Sequence, residues 1–263
     1  MSEELQDMNK AAPIREVRFP LPNVGELDQH EEWCVAVDTA GVERKIRFHD
    51  YHQIFEIPGL YEDLFYRRLR CKSPATVSAL LEVEAQHEEV PMSKLRALDV
   101  GAGNGIVAEE LRLRGVEEIV GIDIIPEARD AALRDRPSAY DEYHVADLTA
   151  LPEPVKRDLS GRCLNCLVSV AALGFGDIPP EAFSAAYNFI EEEGFIAFNL
   201  RDKFLHDQDD SGFSRLVRRL IDEERLEIEQ QSVYCHRLSS LGERLNYVAM
   251  VGRKKADVPE SWF

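Results

Sequence analysis

The chain has no apolar run approaching the ~20 residues that cross a bilayer as a helix, and its polar start, Met1 to Lys10, has no apolar centre of the kind a secretion signal carries. Its five cysteines are an odd number scattered over 263 residues. These absences argue against a membrane-spanning protein and a disulfide scaffold, and set the expectation of a cytoplasmic protein in a reducing compartment. Basic residues are scarce as well, 31 Lys and Arg against 49 Asp and Glu, for a net charge of −18. Backbone phosphates are held by Lys and Arg, so this balance opposes a nucleic-acid partner. The local basic groups, Arg67, Arg68, Arg70 and Lys72, then Arg215, Arg218 and Arg219, read as solvated faces. Cys163 and Cys166 have CxxC spacing but no second pair and no histidine-rich partner, and no His, Asp or Glu cluster shows ligand spacing. No metal is expected. Inside a predicted strand the two thiols would point to opposite faces, as small buried hydrophobes.

What the chain does have is the stretch 97–105, Ala-Leu-Asp-Val-Gly-Ala-Gly-Asn-Gly, a short apolar strand running into a glycine turn with a helical pattern behind it. Gly101, Gly103 and Gly105 lack a Cβ, so the backbone can reach positive φ and let a ligand close to its amides. Twenty residues after Gly103, the strand Ile119-Val120-Gly121-Ile122 ends in Asp123, where a carboxylate can accept ribose hydroxyls. This is a nucleotide-binding βαβ unit. A dinucleotide turn usually carries a glycine at the sixth position of GxGxxG, and here that position is Ile106.

The pattern D-x-G-x-G-x-G over 99–105 resembles motif I of the class I S-adenosylmethionine (SAM) dependent methyltransferases. The resemblance implies SAM as cofactor, held by Asp99, Gly101, Ala102, Gly103 and Gly105 at the turn and by Asp123 and Ile124 at the second strand end. Asp147 at the third strand end would receive the adenine amino group, beside Leu148, with Val170 at the end of the fourth strand. A cationic sulfur suits the acids Asp99, Asp123 and Asp147. The elements follow in the family's order: a helix at 126–134, a strand at 143–145, a strand at 163–170, a helix at 181–193 closed by Gly194, and an apolar strand at 195–200. A helical stripe over 213–224 and strand-like runs at 229–236 and 245–252, joined by Ser239-Ser240-Leu241-Gly242, complete the pattern. The expected fold is α/β, a Rossmann-like, seven-stranded, mostly parallel sheet with a C-terminal antiparallel β-hairpin and helices on both faces.

Residues 1–94 read as an N-terminal extension and 95–263 as the SAM-binding domain. Within the extension the start is polar and proline-broken, strands at 33–37 and 45–48 make a small hairpin, and helices from Tyr61 to Arg70 and from the Ser73-Pro74 step to His87 make a cap. The segment from His49 through Ser73-Pro74 is similar to the lead-in of a bacterial group of methyltransferase-domain proteins related to the Williams-Beuren syndrome region methyltransferase. In many small-molecule methyltransferases such helices wall the acceptor pocket, and Tyr51, His52 and Tyr61, with polar ends to satisfy, are the substrate-binding candidates here, with Arg201. His206 and Asp177 are the candidate catalytic bases, placed after the fifth and fourth strands, where open α/β sheets put ligands. The chain lacks the Asp/Asn-Pro-Pro-aromatic tetrapeptide used on exocyclic amines of nucleic-acid bases; Asp177-Ile178-Pro179-Pro180 only echoes it. The expected partner is thus a small-molecule substrate, with no nucleic acid and no membrane. A SAM-binding scaffold without catalysis and an NAD(P)-binding oxidoreductase with an atypical turn remain alternatives.

Overall fold

The computed structural model describes residues 14–20, 28–174, 177–202 and 212–263. Seven strands form one sheet: β4 (Arg96–Val100), β5 (Glu118–Asp123), β6 (Glu142–Val145), β7 (Cys166–Ser169), β8 (Phe195–Arg201), β9 (Leu226–Leu238) and β10 (Arg244–Lys254). Their order is β6-β5-β4-β7-β8-β10-β9, with every neighbouring pair parallel except β8 with β10 and β10 with β9. The chain builds outward from β4 to one side, returns to β7 and builds to the other, so the order reverses between β4 and β7. In open α/β sheets a ligand crevice forms beyond the carboxyl ends of the strands at such a point.

The apolar strands alternate cleanly between two cores. Leu98, Val100, Leu167, Ile196 and Phe198 pack under α5 (Glu153–Gly161), α6 (Pro180–Asn188) and α7 (Phe213–Asp222), while Ala97, Ile119, Cys166, Val168 and Ala197 pack under α2 (Ser73–His87) and α3 (Ile106–Leu113). A strand's period of two forces this division. Among the described residues no helix is long and apolar enough to cross a membrane.

The N-terminal hairpin gains a third strand: β1 (Ile14–Arg18) pairs antiparallel with β2 (Trp33–Asp38), which pairs with β3 (Glu43–Arg47). Two helical pieces follow, α1 (Tyr51–Glu56) and a wide-turned segment over Glu62–Arg68. Phe55 of α1 packs on Ala128 and Ala131 of α4 (Pro126–Asp135), so the cap docks beside the second βα unit. The long hairpin β9–β10 reaches the cap from the other side. Leu238 N–H donates to Leu69 O and Lys72 N–H to His236 O, and Arg237 makes a buried ion pair with Glu32, whose other oxygen accepts the Ser240 N–H.

Several element ends differ from the sequence expectation. The fourth strand begins at Cys166, because Cys163 is exposed and takes a positive φ of 50° in the preceding turn. Only Cys166 is a buried hydrophobe. Helix α6 stops at Asn188, and Glu193 rather than Gly194 adopts the left-handed conformation. Gly194 is needed for space instead: a Cβ there would lie 2.4 Å from Ile190 Cγ2 and 2.8 Å from Glu191 O. Ser73 does not cap α2; its hydroxyl turns inward.

Candidate functional site

A cleft of about 220 Å³ opens over the carboxyl ends of β4, β5, β6 and β7. Its floor is the glycine turn. Gly101 has φ +73°, and a Cβ on it would stand 2.7 Å from Ala172 Cβ; Gly103 has φ +52°, and a Cβ on it would project toward Phe55 at 3.3 Å. A side chain is therefore excluded at Gly101 and strained at Gly103, where Phe55 would have to give, and bare backbone faces the cleft.

The turn is held from below by polar side chains. Gly103 N–H donates to Asp123 Oδ2 at 2.9 Å, and Gly103 O accepts from the Tyr143 hydroxyl at 2.9 Å. Asp123 Oδ1 accepts the Ile125 N–H at 3.0 Å. Burial pushes the Asp123 carboxyl up while the amides of Ile125, Gly103 and Ile124 hold it down. Tyr140 lies beside Tyr143 and reaches both Asp99 Oδ2, at 2.7 Å, and Ala102 O, at 3.0 Å. Gly121 makes room for both rings, since a Cβ there would stand 2.9 Å from Tyr140 and 3.0 Å from Tyr143. The sequence offered no periodic signal for these tyrosines; their distance from the turn is closed only by the parallel pairing of β5 with β6.

The side walls are Ile124, Ala146, Asp147 and Leu148 on one hand, and Val170, Ala171, Asp177 and Ile178 on the other. Asp147 Oδ1 accepts from the Thr149 N–H and hydroxyl at 2.8 and 2.7 Å, which order its short turn and lower its pKa. The roof comes from the cap: Tyr51, Phe55 and Tyr61, with Phe55 and Tyr61 rings 4.9 Å apart. At the mouth His49 Nδ1 lies 3.0 Å from Asp177 Oδ2, joining the cap to the loop after β7.

Of the residues singled out from sequence, Gly101, Gly103, Asp123, Ile124, Asp147, Leu148, Val170, Asp177, Tyr51 and Tyr61 all line this cleft. Asp99, Ala102 and Gly105 do not. Asp99 is fully buried beneath the turn, where burial pushes its carboxyl up to about 7, Ala102 is 3% exposed, and Gly105 caps α3 with φ 83°. His52 is exposed and away from the cleft, because the helical period of α1 turns Tyr51, Ile54 and Phe55 inward and His52 out. Arg201 lies at the end of β8, half-buried and outside the cleft lining. His206 lies outside the described residues. Phe55 and His49 were not singled out, although the Tyr51, Ile54, Phe55 spacing marks an inward helix face.

The donor set fits a SAM-like molecule. There is a bare-backbone cradle, a carboxylate at the second strand end, the apolar side chains Ile124, Leu148 and Val170 and the acids Asp123, Asp147 and Asp177 along the walls, a lining suited to a sulfonium cation.

Residues 98–198 match the methyltransferase domain family. No curated protein matches the chain. Among solved structures it is similar to the N-methyltransferase NodS of Bradyrhizobium japonicum in complex with S-adenosylhomocysteine, at 12% identity and TM-score 0.54 over 80% of this chain and 98% of that one. A candidate RNA methyltransferase from Pyrococcus horikoshii aligns at 13% identity and TM-score 0.51, over 71% and 87%. A SAM-dependent methyltransferase from Clostridium acetobutylicum aligns at 12% identity and TM-score 0.50, over 75% and 97%. At such identities the likeness is one of fold. The domain match covers residues 98–198, and the sheet around them is folded as in these methyltransferases.

Proposed function

We propose that the protein methylates a small-molecule acceptor, with the N-terminal extension 1–94 serving as the acceptor-side wall of a SAM-binding domain at 95–263. The supporting observation is the roof. Tyr51, Phe55 and Tyr61 stand over the glycine turn, with Phe55 docked on α4, which narrows the cleft on its cap side to a size that suits a small acceptor. The charge of −18 adds to this by opposing nucleic acid.

In this reading Gly101 and Gly103 present backbone to the cofactor, Asp123 takes the ribose hydroxyls, and Asp147 with Ile124 and Leu148 bounds the adenine. SAM, when bound, supplies an electrophilic methyl group on a positively charged sulfur. The protein's task is to orient the acceptor, exclude water and receive the proton that a nitrogen, oxygen or carbon acceptor gives up. In this reading Asp177, which lines the cleft and pairs with His49, takes that proton.

The test is formation of S-adenosylhomocysteine from SAM with a cell extract divided by dialysis. Turnover supported by the dialysable fraction is expected. Turnover supported only by the retained RNA and protein would overturn the small-molecule reading, and SAM binding without turnover on either fraction would favour the scaffold.

A further inference from the structure

Behind the cleft lies a second chamber of about 40 Å³ that none of these roles uses. At one water for each ~10–15 Å³ of such space, it has room for about three waters or a group of that size. Tyr51, Tyr61, Ala171 and the His49–Asp177 pair line both cavities and form the seam between them. The inner wall carries His236 and Tyr247, whose rings stack at 4.1 Å.

His236 is 4% exposed. Its Nδ1 lies 2.6 Å from Ser73 Oγ and 3.7 Å from the Cys71 thiol. Ser73 Oγ is also 2.6 Å from the Tyr234 hydroxyl, and Asn199 Nδ2 donates to both, at 3.1 and 2.7 Å. Asn199 is itself fixed, because its Oδ1 accepts the Ala171 N–H at 2.7 Å.

The network accommodates one tautomer with all of its shared protons used. If Tyr234 donates to Ser73 and Ser73 donates to Nδ1, both Asn199 protons and both hydroxyl protons are used and Ser73 accepts two bonds, its full capacity. If Nδ1 carried the proton instead, Ser73 would have to donate to Tyr234, whose own proton would find no partner in the network. The first arrangement uses every proton shared among Ser73, Tyr234 and Asn199, and with it the ring proton sits on Nε2, which meets no hydrogen-bond partner among the described residues. Tyr247 supplies a second donor: its hydroxyl accepts from Gln29 Nε2 at 2.8 Å and keeps its own proton to give. Burial, with Arg237 and Arg201 nearby, holds His236 neutral. Arg237 is paired with Glu32, whereas Arg201 Nη1 is buried with no hydrogen-bond partner among the described residues.

The inner wall of the chamber thus offers an N–H from His236 and an O–H from Tyr247, two donors suited to an oxygen acceptor, with the Asp177 carboxylate at the opposite seam. We propose that it is the recognition subsite for a carboxylate, so that the methyl acceptor is a small carboxylic acid whose reacting atom projects past Tyr51 into the cleft. The inference rests on the small-molecule methyltransferase reading.

The experiment titrates acetate and benzoate, each against its primary amide, into protein saturated with S-adenosylhomocysteine. The amides are the counter-probes because Gln29 Oε1, a buried oxygen without a partner, would favour an N–H ligand. At least one acid should bind about tenfold more tightly than its amide, the effect of hydrogen bonds to a charged group. His236→Phe, which keeps the stack on Tyr247, should abolish that preference without changing S-adenosylhomocysteine affinity, and His236→Gln, which keeps an N–H, should retain part of it. Amides binding as well as acids in both pairs would overturn the proposal, as would a preference that survives His236→Phe. Long-range 1H–15N spectra of the unmutated protein give a reading independent of any variant: the His236 proton on Nε2 supports the assignment, and on Nδ1 refutes it. Failure of the unmutated protein to bind S-adenosylhomocysteine at all would instead strike the parent reading, and this one with it.

Discussion

Asp99 turns the buried floor of the site into a measurable pH dependence. The side chain is fully buried, its Oδ1 has no hydrogen-bond partner among the described residues and its Oδ2 faces the Tyr140 hydroxyl at 2.7 Å. That hydroxyl is also 3.0 Å from Ala102 O, and one phenolic proton cannot serve both oxygens. With a proton on Asp99 the conflict disappears, since Asp99 donates to Tyr140 and Tyr140 to Ala102. Burial pushes the carboxyl from its ordinary 3.8 to about 7 against the pull of Tyr140, and Asp123 adds to the rise. Between those values the folded protein holds a proton that the unfolded chain has released. Raising the pH through this window therefore removes stability, about 4 kcal/mol in full. From pH 5.5, clear of the sequence pI near 4.8, to pH 8 the loss is about 2 kcal/mol. Asp99→Asn, neutral throughout, should lack it. Urea unfolding at a series of pH values should show the stability of the unmutated protein falling relative to the variant by this amount, with the fall ending above pH 7. A difference that stays constant with pH would refute the reasoning.

Gly101→Ala combines a left-handed φ, which costs an L-residue about 1–2 kcal/mol, with a Cβ set 2.7 Å from Ala172 Cβ and 2.9 Å from Ile178 Cδ1. The variant should melt well below the unmutated protein, and an unchanged melting temperature would show that the turn relaxes freely. Arg237→Met leaves Glu32, 1% exposed, without its ion-pair partner and should destabilise by about 3–5 kcal/mol; adding Glu32→Gln should recover most of this, and additive losses in denaturant unfolding would contradict the pairing. Asp123→Ala removes a charge-assisted acceptor and should weaken SAM by about 1–3 kcal/mol in a binding titration, while no change would reduce Asp123 to a tie for the turn.

Much of the catalytic half was legible in the sequence because its signals are local. The run from Ala97 to Asp123 encodes a strand, a turn that only glycine can make, a helix and a second strand ending in an acid, and each step is read from neighbours in the chain. The hairpin β9–β10 was legible from its alternation and its Ser-Ser-Leu-Gly loop. Two of the elements missed have little to bury: β1 is Ile-Arg-Glu-Val-Arg with only Val17 buried, and α5 buries only Leu159, while α1, at six residues, is too short to show a helical period. His52 was misplaced because α1 had not been recognised, so its faces could not be assigned. Asp99 was read as a ligand residue because strand position alone does not say whether an acid faces the cleft or the core beneath it. His236 had no local signal at all, since its partner Ser73 is 163 residues away and only the fold brings the two together.

The account depends on SAM occupying the cleft lined by Gly101, Gly103, Asp123, Leu148 and Val170. Isothermal titration of SAM into the unmutated protein and into Gly103→Leu, whose added side chain would start 3.3 Å from Phe55 and have to turn into the cleft, tests this most directly. Saturable 1:1 binding to the unmutated protein and none to a Gly103→Leu variant with unchanged far-UV circular dichroism is the predicted result. No binding to the folded unmutated protein, or equal affinity in the two, would contradict it.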